Sequence, residues 1–182
     1  MRNLLIVVAL LITAGCGPWI KTESPFTSET YNFTVDLPQG WMRSNTDKIL
    51  LITRDGILLQ RIVISRINLS DEKQFSYTKK RVTAGMLPQE VAEVVIDNLQ
   101  SDSVVTFGKI EENAPAMVAG KPGFRVQVVY STKEGLNYRF ICYGMLSGDY
   151  LYRIMYLAPV RYYFDKDLST FENVVRSFRL TK

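Results

Sequence analysis

The chain reads as an α+β protein: a central antiparallel β-sheet with helices on both faces. Three observations predict it. Short segments with strand-like patterning recur along the chain, punctuated by Gly, Pro, Asp and Asn turns. The strands of the second half are apolar or aromatic on both faces, and such a sheet is normally covered on both. Two segments, 89–100 and 164–178, switch to apolar residues at helical spacing. At 182 residues the chain fits one domain and is long enough to bury a core without staples.

The first segment is not part of that domain. Arg2 precedes nine apolar residues, Leu4–Ile12, which run into small residues and Cys16. A membrane-crossing helix needs about 20 apolar residues, so this run is too short. Its charge, apolar stretch and small-residue end have the layout of a secretory signal peptide. Thr13-Ala14-Gly15-Cys16 resembles the lipobox of bacterial lipoproteins, with Thr13 where leucine is most common. The resemblance implies cleavage before Cys16, lipid on the Cys16 thiol and amine, and attachment to the membrane through that lipid; two or more acyl chains hold stably where one does not. Gly17 follows in place of aspartate, which by resemblance to enteric sorting rules implies, in a Gram-negative organism, an outer-membrane protein facing the periplasm. Residues 1–15 are therefore expected as a signal peptide, 16–28 as the lipidated cysteine and a flexible tether, and 29–182 as a single domain.

Within the domain, Tyr31–Leu37 reads as a strand closed by the turn Pro38-Gln39-Gly40, and Lys48–Arg54 as a second. Asp55-Gly56 is the best hairpin turn in the chain. Ile57–Ile67 reads as the third strand, with an apolar phase shift that predicts a bulge near Gln60-Arg61 or burial on both faces. Leu69–Gly85 is polar and basic, a solvated loop. Pro88 suits the first turn of a helix, and Leu87, Val91, Val94, Val95 and Leu99 form its stripe. Val104–Glu111 is a strand, and Gly120-Lys121-Pro122-Gly123 a turn. Phe124–Tyr130 alternates cleanly, and Asn137–Leu146 and Tyr150–Leu157 flank Ser147-Gly148-Asp149. A two-residue turn there sets Tyr138, Phe140 and Cys142 on one face with Leu151, Arg153, Met155 and Leu157. It sets Arg139, Ile141, Tyr143 and Met145 on the other with Tyr152, Ile154 and Tyr156. Phe164, Leu168, Phe171, Val175 and Phe178 mark a closing amphipathic helix, with Asp165 and Asp167 at its positive N-terminus.

FTVDLPQGW near the start and FENVVRSFRL at the end frame hairpins, one central helix and more hairpins. This pattern resembles the PsbP-like family, which includes an extrinsic subunit of photosystem II and small exported bacterial lipoproteins. The resemblance spans most of residues 29–182 and implies a central antiparallel sheet with helices on both faces. Members mostly bind or assist other proteins. The matching positions mark strand and helix ends, so no functional residue is carried over.

Composition excludes several chemistries. There is no histidine, which removes Ser-His-Asp and Cys-His activation and the commonest metal ligand. With Cys16 lipidated, Cys142 has no disulfide partner and reads as a small buried hydrophobe. A net charge of +4 spread along the chain does not argue for nucleic acid. Ser147 does not sit in G-x-S-x-G. Asp165-Lys166-Asp167 lacks the glycine and closing glutamate of a calcium loop. No cofactor, metal or catalytic residue is expected. Tyrosine is the unusual signal: eight lie between Tyr130 and Tyr163, interleaved with Arg139, Arg153 and Arg161. Tyr and Arg are enriched at binding hot spots and are also ordinary strand residues. Arg139, Tyr143, Tyr152 and Arg153 are the candidate partner or ligand surface. The expected function is a non-catalytic binding or assembly module for another protein, anchored in the envelope. The alternatives are a small-ligand carrier with a Tyr/Arg-lined surface and a carboxylate-dependent hydrolase.

Overall fold

The sheet grows from hairpins whose turns the sequence marks. The structure, a computed structural model, describes residues 19–44 and 49–181, with the backbone alone for Phe107. The expected signal segment, Cys16 and Lys48 lie outside the described residues. In chain order the strands are β1 (Trp19–Lys21), β2 (Phe26–Ser28), β3 (Phe33–Val35), β4 (Met42–Ser44), β5 (Leu50–Thr53) and β6 (Arg61–Asn68). Helix α1 (Pro88–Gln100) follows, then β7 (Val105–Val118), β8 (Lys121–Thr132), β9 (Asn137–Ser147), β10 (Tyr150–Pro159), α2 (Tyr163–Ser177) and β11 (Arg179–Leu180). Eight strands form one antiparallel sheet in the order β1-β4-β5-β6-β10-β9-β8-β7, and β11-β3-β2 form a small second one.

The β9–β10 hairpin has the two-residue turn and register expected: Ser147 faces Tyr150, Met155 faces Cys142 and Ile154 faces Tyr143. Alternation along these strands separates two cores. On one face Ile141, Met145, Tyr152, Ile154 and Tyr156 pack with Phe164, Phe171, Val174 and Phe178 of the α2 segment. On the other, Phe124, Val126, Val128, Cys142 and Leu151 pack with Val91, Ala92, Val94, Val95 and Ile96 of α1. The molecule is β-rich, a mostly antiparallel sheet with one helix against each core, rather than a sandwich with full helical layers. Gly144 lets the α1-side core close: a Cβ there would lie 2.3 Å from the Phe124 ring.

Four expectations are corrected. Residues 19–28 carry two strands: Trp19–Lys21 pairs with Ser44–Met42, so the folded domain begins ten residues before Glu29. Residues 57–60 form a turn, not strand. Gln60 is fully buried, Thr53 Oγ1 donates to its carbonyl at 2.6 Å, and β6 starts at Arg61, which removes the phase shift without a bulge. The bulges sit instead in β7, which runs on to Val118 with register shifts between Phe107 and Lys109 and between Ile110 and Glu112. The 69–85 loop is not simply solvated. Buried Gln74 donates to the carbonyls of Leu69 (2.8 Å) and Val82 (3.0 Å) and accepts from Val82 N–H (2.7 Å), and Phe75 and Val82 enter the α1-side core.

Candidate functional site

The four candidate side chains divide between the two faces. Arg139 and Tyr143 belong to one polar network beside α2. Arg139 grips Glu111 with Nε and Nη2 at 2.7 and 3.2 Å and lies over the Phe164 ring. Gln127 Nε2 donates to the same carboxylate at 2.8 Å. Arg125 Nε donates to the Tyr143 hydroxyl at 2.9 Å, and that hydroxyl donates to Glu172 at 2.9 Å. Arg125 also bonds Gln127 Oε1 at 3.0 Å and pairs with Glu112. Burial, reinforced by the Glu172 carboxylate, pushes the Tyr143 phenol up, while Arg139 and Gln127 hold Glu111 below its usual range. These partners are matched to one another, so the network fastens β7, β8, β9 and α2 together.

Tyr152 is separate and buried. Its ring packs 6.2 Å from Phe178 and its hydroxyl donates to the Tyr31 carbonyl at 3.1 Å. Arg153 is on the opposite face. Its guanidinium lies 5.3 Å from the Phe75 ring centre and reaches Ser65 Oγ at 3.3 Å, while its Nε is buried without a hydrogen-bond partner. Cys142, on the same face, is fully buried, and burial pushes its thiol up to about 12.

The feature that sequence reasoning passes over is on this α1-side face. Helix α1 has 13 residues and spans about 20 Å, whereas a ten-residue strand such as β10 runs about 33 Å. The helix therefore leaves part of the sheet uncovered. Val63, Phe140 and Met155 are half-buried there and, with Leu157 and Arg61, line a cavity of about 220 Å³. Beside it the β5–β6 turn presents Ile57 and Leu58, 40% and 69% exposed. Two bonds hold that turn against the floor: Tyr138 donates to the Leu58 carbonyl at 3.0 Å, and Arg61 Nη1 to the Ile57 carbonyl at 2.9 Å. The floor is apolar, with the single cation Arg61 among its lining residues.

Asp55, Asp97 and Glu111 are held below the usual carboxylate range, chiefly by Lys166, Lys80 and Arg139 respectively. Among the described residues, no cluster of three or more His, Cys, Asp or Glu is placed to hold a metal ion, and no helix is long and apolar enough to cross a membrane.

Comparison with solved structures places this architecture. The solution structure of the cyanobacterial PsbP protein from Synechocystis matches at a TM-score of 0.59, with 11% identity over 92% of this chain and 95% of that one. The domain is PsbP-like in fold. The Ran-binding protein Mog1p of Saccharomyces cerevisiae matches at 0.56, with 12% identity over 90% of this chain and 97% of its own. A mutant of protein Mog1 matches at 0.54, with 12% identity over 83% of this chain and 92% of that one. At these identities the likeness concerns the fold. No protein-family model matches, and no curated protein matches in sequence. Both apolar cores of this PsbP-like domain are organised around β9 and β10, the hairpin whose register sets the uncovered floor.

Proposed function

We propose that the protein is an exported, lipid-anchored, non-catalytic module that binds another protein through the floor formed by Val63, Phe140, Met155 and Leu157. The open apolar floor carries the reading. A folded domain has little reason to leave Val63, Phe140 and Met155 half-exposed beside Arg61 unless something covers them. The cavity is smaller than the roughly 300–1,000 Å³ usual for small-molecule pockets, so an anchoring side chain of a partner fits better than a carried ligand. Solved structures of the same fold include the Ran-binding protein Mog1p. That supports protein binding as a use of this scaffold. The anchor is Cys16, and the reading extends to an outer-membrane protein facing the periplasm. Arg139, Tyr143 and Tyr152 enter as residues that stiffen the scaffold, and Arg153 as the cation beneath the floor's margin.

The test is capture from detergent-solubilised membranes with the intact, lipidated chain. Wild type should recover one specific protein. Leu58→Asp changes an exposed turn residue and should leave the melting temperature within about 2 °C, yet recovery should fall about tenfold, as loss of one apolar anchor implies. Equal recovery by Leu58→Asp, with both proteins folded, sinks the assignment of this floor.

A further inference from the structure

We infer that the β1 edge of the sheet rests on the phospholipid surface, with Trp19 at the level of the headgroups. The inference rests on lipidation of Cys16 and adds an orientation to it. Only Gly17 and Pro18 separate that cysteine from Trp19, the first residue of β1. Whatever path they take, three residue steps span at most about 10 Å. β1 is not free to swing away. Trp19, Ile20 and Lys21 are paired with Ser44, Arg43 and Met42. The next residue, Thr22, donates its N–H to the Trp41 carbonyl at 3.0 Å and its hydroxyl to the Pro38 carbonyl at 2.6 Å. An anchor at Cys16 therefore holds the edge of a rigid sheet, not the end of a loose leash.

The side chains suit that position. β1 is the outermost strand of the large sheet. Trp19 and Ile20 are half-buried, Lys21 is exposed, and Ile49 near by is 37% exposed. On the other face of the edge from Trp19, where Ile20 is paired with Arg43, Arg43 lies over the Phe26 ring at 5.2 Å, in a cavity that Ile49 also lines. Tryptophan favours the membrane interface because its ring is apolar and its N–H polar, and long cationic side chains lay their stems on apolar surface with the charge in water. Glu29 lines the same cavity, so the patch carries both signs, and the short link and the apolar residues set the contact rather than net charge. Successive strands are about 4.8 Å apart, which puts the open floor on β6, β10 and β9 about 15–25 Å from the β1 edge. A partner is met at that height.

Tryptophan fluorescence of the full lipidated chain in phosphatidylethanolamine–phosphatidylglycerol vesicles tests this, with brominated lipid as quencher. Trp19→Phe leaves Trp41 alone, which is 2% exposed in the core. Wild type should be quenched about threefold more than Trp19→Phe, as expected for an indole at the interface. A flexible spacer of about 20 residues inserted between Pro18 and Trp19 should abolish that difference. Equal quenching of wild type and Trp19→Phe, or quenching that survives the spacer, overturns the inference while palmitate labelling of Cys16 still reports the anchor. Labelling that persists in Cys16→Ser shows the anchor itself misplaced, and both readings then fall.

Discussion

At the scale of the residue, the most informative side chain is Arg153. The residue is half-buried, its Nε is buried without a partner, and burial pulls its pKa down. Replacing a poorly compensated, partly buried cation with an apolar side chain of similar length is often neutral or stabilising. Arg153→Met is expected to leave urea stability unchanged or raise it by about 1 kcal/mol, with the CD spectrum unaltered. A loss of about 2 kcal/mol or more would show that its packing on Phe75 and its bond to Ser65 outweigh the desolvation. Glu111 makes the opposite case. Its bond to Arg139, helped by Gln127, holds its folded pKa below the ordinary value of 4.5. A depressed carboxylate contributes stability that is present above its unfolded pKa and lost as pH falls through the folded one. Denaturant stability should therefore be flat with respect to this group above about pH 5 and decline below it, and Glu111→Gln should remove that part of the decline. An unchanged slope in the variant contradicts the assignment.

At the scale of the element, the join between α2 and the β5–β6 turn is the most exacting. Asp167 is 1% exposed, accepts from Arg54 Nη2 at 2.8 Å and from Gln60 Nε2 at 3.2 Å, and Gln60 is fully buried. Gln60 Nε2 also donates to Asp55 at 3.0 Å, and Lys166 Nζ reaches Asp55 at 2.9 Å. Asp167→Ala takes one of two acceptors from the buried Gln60 amide and one of two carboxylates from Arg54, whose side chain is 33% exposed and so partly rehydrates. The expected cost is about 3 kcal/mol, or roughly 6–12 °C in melting temperature by calorimetry. A drop under 2 °C would show the join to be peripheral. This is also where the sequence misleads. Ile57 and Leu58 look like strand residues by composition, and nothing local says that the Gln60 side chain folds inward to meet an aspartate 107 positions away. Trp19–Lys21 and Phe26–Ser28 are missed for the same reason: three-residue strands carry no period and exist through distant partners. The β9–β10 hairpin is legible because its alternation is long and a two-residue turn leaves one register. The stripes of α1 and α2 are legible because period 3.6 over more than ten residues has no competing reading.

At the scale of the whole molecule, the two-faced sheet explains why the candidate surface is only half legible. Tyr and Arg at alternating positions show which residues share a face, and so Arg139 goes with Tyr143 and apart from Arg153. They do not show which partners each has already found. Val63, Phe140 and Met155 read as core, and their openness appears only when the length of α1 is set against the strands it crosses. The far edge of the same sheet carries a different consequence. β7 is 14 residues long and outermost, which offers a second copy of the chain an exposed row of amide and carbonyl groups to extend. Two bulges break that row, and Pro115 has no amide hydrogen to donate. Copies crowded together thus meet a ragged border instead of a template, and the protein can be abundant without stitching itself into ribbons.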